Sequence, residues 1–407
     1  MPRFVKKLIL MIKLSDRINS MEESATIGMA KKSRELKSQG KDVISLSLGE
    51  PDFFTPQFIK DAAVEALNNN FTTYTPVSGY DDLRESISLK FKRDNGLEYS
   101  KEQIVVSTGA KQSIANVVLS ILNPGDEVII PAPYWVSYLE IVKVAEGKSV
   151  IVHAGIETDF KITPKQLEEA ITQKTRMVIF STPCNPTGSV YSKDELYALA
   201  QVIKNYPQLV VISDEIYEHI NFVGKHESLA EFPEVYNQVV TINGVSKAWA
   251  MTGWRLGYIG APKEIASACD KMQGQFTSAT CSITQKAAIA AMKADPIVLK
   301  DMIQAFHRRR DLVLSMLNEM EGVKTNVPEG AFYVFPDVSS FFGKSFNGNI
   351  IKDSHELCLY LLDEGLIAFV SGEAFGAPEC LRISYAASEE TLTEAMRRMK
   401  NALEKLV

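Results

Sequence analysis

Leu209-Val210-Val211-Ile212-Ser213-Asp214-Glu215-Ile216-Tyr217 is an apolar run without alternation that ends in an acid, with a tyrosine three residues further on. A strand that is apolar on both faces belongs in a sheet covered on both sides, the usual state of parallel sheets. Similar short runs at 104–107, 127–131, 149–152, 177–181, 239–243 and 256–260 recur between longer amphipathic stretches. Together they predict an α/β fold whose mostly parallel sheet is flanked by helices. Ligands of such sheets bind at the carboxyl ends of the strands. Asp214, Asn185 and the turn at Gly109 each follow a predicted strand.

The chain has 407 residues, too many for one ordinary core. Residues 56–295 are expected to form the large domain. Beyond 295 the pattern changes to a long charged helix (295–320), a hairpin-like stretch (330–335), a helix (354–364), strands at 367–370 and 381–385, and a terminal helix. Residues 296–407 therefore predict a smaller α+β domain. Residues 1–55 are expected to join it, because a strand at 44–48 has nothing local to pair with.

Composition is ordinary for a globular chain, with 45% hydrophobic and 23% charged residues and a net charge of −6. Arg308-Arg309-Arg310 reads as a solvated helix face, and nucleic acid is not an expected partner. Five cysteines without a CxxC pair point to a reducing, cytoplasmic setting and no structural metal. The apolar run at 8–12 is too short for a signal peptide core or a membrane span, so no membrane partner is expected.

A second stretch carries chemistry: Ser246-Lys247-Ala248-Trp249-Ala250-Met251-Thr252-Gly253-Trp254-Arg255-Leu256-Gly257. A lysine between small residues, with an arginine eight positions on, makes a poor helix and a good ligand wall. Lys247 supplies an amine for a Schiff base, Asp214 a carboxylate for a pyridinium nitrogen and Tyr217 a hydroxyl for a phenolate oxygen. Those are the parts of a pyridoxal 5'-phosphate (PLP) site.

Other residues fit the same site while keeping plainer readings. The turn at Gly109-Ala110-Lys111 suits a phosphate cradle at a helix start, or a simple strand-to-helix connection. Trp135 suits a ring stacked on a pyridine, or core packing. Asn185, in Asn185-Pro186-Thr187-Gly188, suits a donor to a phenolate oxygen, or a turn asparagine. Arg382, on a strand with alternating apolar neighbours, suits a carboxylate clamp, or an edge-strand surface arginine.

These motifs, with Gly49-Glu50-Pro51-Asp52 and Leu381-Arg382-Ile383-Ser384-Tyr385, resemble the class I aminotransferases of the aspartate aminotransferase type, fold type I among PLP enzymes. The resemblance runs from about Leu14 to the C-terminus. It implies a ping-pong amino transfer between amino acids and 2-oxo acids, with aspartate and 2-oxoglutarate as the expected pair. It implies Lys247 as Schiff-base lysine and proton carrier, with Asp214, Tyr217 and Asn185 as ring partners and Trp135 as the stacking ring. Ala110, Lys111, Ser246 and Arg255 would form the phosphate cup. Tyr74 would reach the phosphate of a neighbouring subunit, which implies a homodimer. Arg382 would grip the substrate α-carboxylate beside Gly49 and Asn185. Ser24-Ala25-Thr26 and Gly109-Ala110-Lys111 resemble a bacterial and plastid branch in which Thr26 and Lys111 bind the distal carboxylate. The run 123–133 is similar to plastid enzymes that also use prephenate. Cys184 and Gly244 depart from the pattern of many relatives, and Gly244 leaves one phosphate contact fewer. The alternatives are a prephenate aminotransferase and a PLP-dependent lyase, which needs no 2-oxo acid acceptor. A regulatory module that senses PLP would need an attached DNA-binding domain.

Overall fold

The computed structural model describes residues 12–407, so most of the apolar run at 8–12 lies outside the described residues. Before residue 261 the strands are β1 (Ile44–Ser45), β2 (Ile104–Ser107), β3 (Glu127–Ala132), β4 (Lys148–His153), β5 (Thr175–Ser181), β6 (Val210–Asp214), β7 (Val239–Gly244) and β8 (Gly257–Gly260). Seven of them form one sheet in the order β2-β8-β7-β6-β5-β3-β4. Its pairings are parallel except those of β8, which runs antiparallel to both β2 and β7.

The apolar runs explain this sheet residue by residue. Val178 and Val211 pack into one core, whereas Met177, Ile179 and Ile212 pack into another on the opposite face. Side chains alternate across a strand, so a strand covered on both sides must be apolar throughout. Helices close both faces, and their starts are written locally. Ser192 and Glu195 form a capping box ahead of Lys193–Ile203, and Thr163 with Gln166 does the same for Pro164–Ala170.

The C-terminal part adds β9 (Tyr333–Val334), β10 (Ser345–Phe346), β11 (Asn349–Ile350), β12 (Ile367–Ala368), β13 (Val370–Ser371) and β14 (Leu381–Ser384). β13, β14 and β9 make an antiparallel sheet, and β1 pairs in parallel with β12. The backbone N–H of Ser384 donates to Leu46 O at 3.0 Å. The N-terminal strand is thus held between β12 and β14, which brings Ser47 and Gly49 toward the centre of the molecule.

Three expectations need correction. The stretch 330–335 is not a hairpin, because β9 pairs with β14 through Val334 and Ile383. Ala331 to Phe335 are all fully buried, and only a distant strand covers such a run. The helix expected over 295–320 opens as a 3-10 turn, Pro296–Leu299, capped by Asp295, and the α-helix spans Lys300–Leu317. Arg309 is not solvated. Its guanidinium is buried and grips Asp52 through two bonds of 2.8 and 2.9 Å. Among the described residues no helix is long and apolar enough to cross a membrane.

Candidate active site

The carboxyl ends of β5 and β6 and the loop after β7 open into a cavity of about 350 Å³. Asp214, Tyr217, Ser246, Lys247 and Arg255 line it, with Ala110, Lys111, Trp135, Asn185 and Gly49. Ten of the residues singled out in the sequence therefore share one cavity wall.

Lys247 sits in the irregular loop between β7 and β8, half-buried because it borders the cavity. Its Nζ donates to Gly49 O at 2.5 Å and lies 5.5 Å from the centre of the Tyr217 ring. Burial pushes the Lys247 ammonium down to about 8, and the nearby Arg382 charge adds to the effect. A lysine so shifted has a far larger neutral, nucleophilic fraction near pH 7 than an exposed one.

Asp214 ends β6 and is buried. The Tyr138 hydroxyl donates to its Oδ2 at 2.8 Å, and the Ile216 N–H to its Oδ1 at 3.3 Å. Burial raises its pKa to about 6, against the lowering pull of those two bonds. Neither donor carries charge, and among the described residues no cation bonds to this buried carboxylate, the Lys247 charge acting on it only from a distance.

At the other end, Gly109 precedes the helix Ala110–Ile121 with a φ of +92°, a conformation suited to glycine. A Cβ there would come within 2.5 Å of Arg255 Nη2. Arg255 itself has a left-handed backbone (φ 56°, ψ 63°), a strained state for an arginine that sends its side chain across the helix start. Its Nη1 donates to Thr252 O at 2.9 Å. A helix N-terminus backed by a guanidinium is a site for a phosphate-like anion.

The side of the cavity lined by Gly49 and Asn185 serves as its mouth and is built from distant segments, with Arg382 packed behind that wall rather than lining it. Arg382, on β14, is buried, with Nη1 donating to Asn185 Oδ1 at 2.8 Å and Nη2 to Ser47 O at 2.6 Å. Its Nε is buried and has no partner among the described residues. Its guanidinium packs 4.6 Å from the Tyr333 ring centre. Lys111 lies 4.9 Å from the Trp135 ring centre. Burial and then the like charge of Arg255 push the Lys111 pKa down, with no carboxylate opposing them.

A family model of class I and II aminotransferases matches residues 41–399. The chain belongs to that family. Among similar aminotransferases is a petunia (Petunia hybrida) protein described as a bifunctional aspartate aminotransferase and glutamate/aspartate-prephenate aminotransferase. It is 48% identical over 96% of this chain and 83% of its own length. A probable aspartate/prephenate aminotransferase of Rhizobium leguminosarum is 48% identical over 95% of this chain and 98% of its own. The solved aspartate aminotransferase of Rhizobium meliloti superposes with a TM-score of 0.94 at 41% identity, covering 97% of this chain and 100% of that one. The aspartate aminotransferase of Thermus thermophilus, solved with maleate, gives 0.91 at 39% identity, covering 96% and 100%. These neighbours share the fold type I architecture expected from the sequence motifs.

Four of the expected site residues of this aminotransferase do not line the cavity: Gly109, next to the lining residue Ala110, Arg382, packed behind Asn185, and Tyr74 and Thr26. Tyr74 is 99% exposed and does not line the cavity of its own chain. Thr26, on the helix Ala25–Ser38, is half-buried and outside the cavity wall. Conversely, Tyr138 and Tyr333 went unnoticed in the sequence. Tyr138 holds Asp214, and its spacing of three from Trp135 at a helix start was the available signal. Tyr333 bonds to the Tyr217 hydroxyl at 2.7 Å, and a Cβ on Gly49 would come within 2.1 Å of its Oη. That contact depends on β9 pairing with β14, for which no local signal exists.

Proposed function

We propose that this aminotransferase uses PLP to move the amino group between L-aspartate and 2-oxoglutarate, giving oxaloacetate and L-glutamate by a ping-pong route. The observation that carries the reading is one cavity wall holding three parts. They are an amine with its pKa pushed down to about 8, a buried carboxylate bonded only to neutral donors among the described residues, and an arginine-backed helix start. A phosphate suits the last, a protonated ring nitrogen the second and an aldehyde carbon the first. Bound there, PLP supplies an acceptor for the electron pair left when the substrate Cα–H bond breaks.

Every other role belongs to the chain. Lys247 Nζ would hold the cofactor and would carry the substrate α-proton. Asp214 would keep the ring nitrogen protonated, and Tyr138 holds Asp214 in place. Tyr217 and Asn185 would serve the ring hydroxyl, and Trp135 would hold the ring by stacking. Ser246, Arg255, Gly109, Ala110 and Lys111 would hold the phosphate, with Tyr74 of a second copy in a homodimer. Arg382 takes the α-carboxylate, and Lys111 with Thr26 the distal one.

The aspartate activity named for the relatives supports the substrate, and so does the maleate named for the Thermus structure, a dicarboxylate. Prephenate is the second reading. Lys111 is a flexible point charge, less exacting than a planar guanidinium, and suits dicarboxylates of unequal size. We divide the chain into 56–295 and a smaller unit of 1–55 with 296–407, a partition that the β1–β12 pairing supports. The five free cysteines support a reducing, cytoplasmic setting.

The test mixes the purified PLP form with aspartate, glutamate, alanine and phenylalanine and follows the cofactor absorbance, then adds 2-oxoglutarate or prephenate. Bleaching by the two acidic amino acids and recovery with 2-oxoglutarate is the expected result. Recovery with prephenate adds the second activity. Product formation without any acceptor points instead to a lyase.

A further inference from the structure

The turn that carries Asp214 and Tyr217 has two faces. Asp214 and Tyr217 line the cavity, whereas Glu215 and Glu218 are buried on the far side and do not. Both rear carboxylates are filled with donors. Glu215 Oε1 accepts from Ser213 Oγ at 2.9 Å and Ser228 Oγ at 2.7 Å, and its Oε2 lies 2.9 Å from His226 Nε2. Glu218 Oε1 is bonded to Lys90 Nζ, and its Oε2 accepts from Asn95 Nδ2 at 2.8 Å. His219 Nε2 stands 3.3 Å from Glu218 Oε1.

The partners of Glu218 come from an unusual helix end. The helix Asp81–Lys90 continues into a π-helical turn, Phe91–Asn95. Residues five apart in an α-helix lie about 140° apart around the axis. The wider turn closes that gap, so Lys90 and Asn95 meet on one carboxylate, and Lys90 Nζ donates to Asn95 Oδ1 at 2.9 Å. Burial pushes the Glu218 carboxyl up, but Lys90 and the two histidines outweigh it and hold it down to about 2.

A buried ion pair is a weak source of stability, because apolar residues of similar volume do as well; what it adds here is fixed geometry. We propose that Glu218, held by Lys90 and Asn95, is a positioning residue that sets how far Asp214 and Tyr217 reach into the cavity. The turn transmits the placement: Glu218 N–H donates to Glu215 O at 2.9 Å and Ile220 N–H to Tyr217 O at 2.8 Å. The inference rests on the reading of Asp214 and Tyr217 as cofactor partners.

The test is the double variant Lys90→Met/Glu218→Leu, which removes both charges at similar volume. PLP is titrated into the cofactor-free parent and variant while tryptophan fluorescence and cofactor absorbance are followed, and both proteins are melted. The expected result is a PLP Kd raised about tenfold, with a melting temperature lowered because the buried Asn95 amide loses both partners. The expected kcat falls about tenfold while KM for aspartate stays within about twofold, since the mouth is untouched. Parental PLP affinity and kcat in the double variant overturn the proposal. Should that variant not fold, Asn95→Ser removes one donor from Glu218, and PLP Kd is expected to rise about threefold. A lower melting temperature with unchanged PLP affinity in Asn95→Ser overturns the proposal too. A parent chain that binds no PLP overturns the cofactor reading itself, and that is seen before any variant is compared.

Discussion

The two ends of the cavity are built differently. At the floor, Asp214, Ser246, Lys247 and Arg255 come from neighbouring strand ends of one sheet, each a short step from its own strand. At the mouth, Arg382 bonds to Ser47 across 335 positions of sequence and to Asn185 across 197. The floor is a property of the sheet, and the mouth exists only once the terminal segments dock on it. The two ends should therefore fail differently: changes at the floor should cost chemistry, and changes at the mouth should cost binding.

The largest effect is expected from Lys247→Ala, which removes both the covalent anchor and the proton carrier. The kcat should fall by at least about 10⁴-fold, and a variant still transaminating at the parental rate would falsify its role. Asp214→Ala should lower kcat by roughly 10²–10³-fold, with a smaller change in KM, in steady-state assays with aspartate. An equal loss in both parameters would erase the contrast between floor and mouth.

The cofactor-free protein should also show the floor by titration. The Asp214 pKa is raised from 3.8 to about 6, chiefly by burial. Within that window the folded chain holds a proton that the unfolded chain has lost. Stability should therefore fall as pH rises through it, by on the order of 3 kcal/mol. Lys247 acts oppositely at high pH. Its value is lowered to about 8 from 10.5, so stability should rise with pH between the two. Urea unfolding at pH 4 and 7 checks the first window, and Asp214→Asn should flatten it.

At the mouth, Arg382→Lys keeps the charge but loses the fork, and KM for every amino acid should rise about tenfold or more with a modest change in kcat. Lys111→Ala should be the smallest and most selective change, raising KM about tenfold for aspartate and glutamate but little for alanine or phenylalanine. Equal losses for acidic and neutral substrates would assign Lys111 to the cofactor instead.

Legibility in the sequence follows the same division. The strands of the main sheet were readable because their burial on both faces demands unbroken apolar runs, and Asp214 and Lys247 stood out against them. Arg309 is not legible because its partner Asp52 lies far off in sequence, and a charge triplet on a helix looks solvated until a distant acid folds over it. Tyr333 was silent for a similar reason, since an apolar run at 330–335 looks like a hairpin until β14 takes the pairing. Glu215 and Glu218 carry no signal of their own in the sequence, because their partners Lys90, Asn95 and His226 arrive from other segments.

The sequence alone determined the parallel sheet, the floor of the cavity and the membership of the family. Those rest on strand periodicity and on motifs a few residues long, which interactions along the chain already specify. Tertiary structure alone decided the grip of Arg382 on Asn185 and Ser47, the Tyr217–Tyr333 contact and the charge network behind the Asp214 turn. Each of these needs two buried polar groups from remote segments to satisfy one another, and a linear sequence does not record which of them will meet.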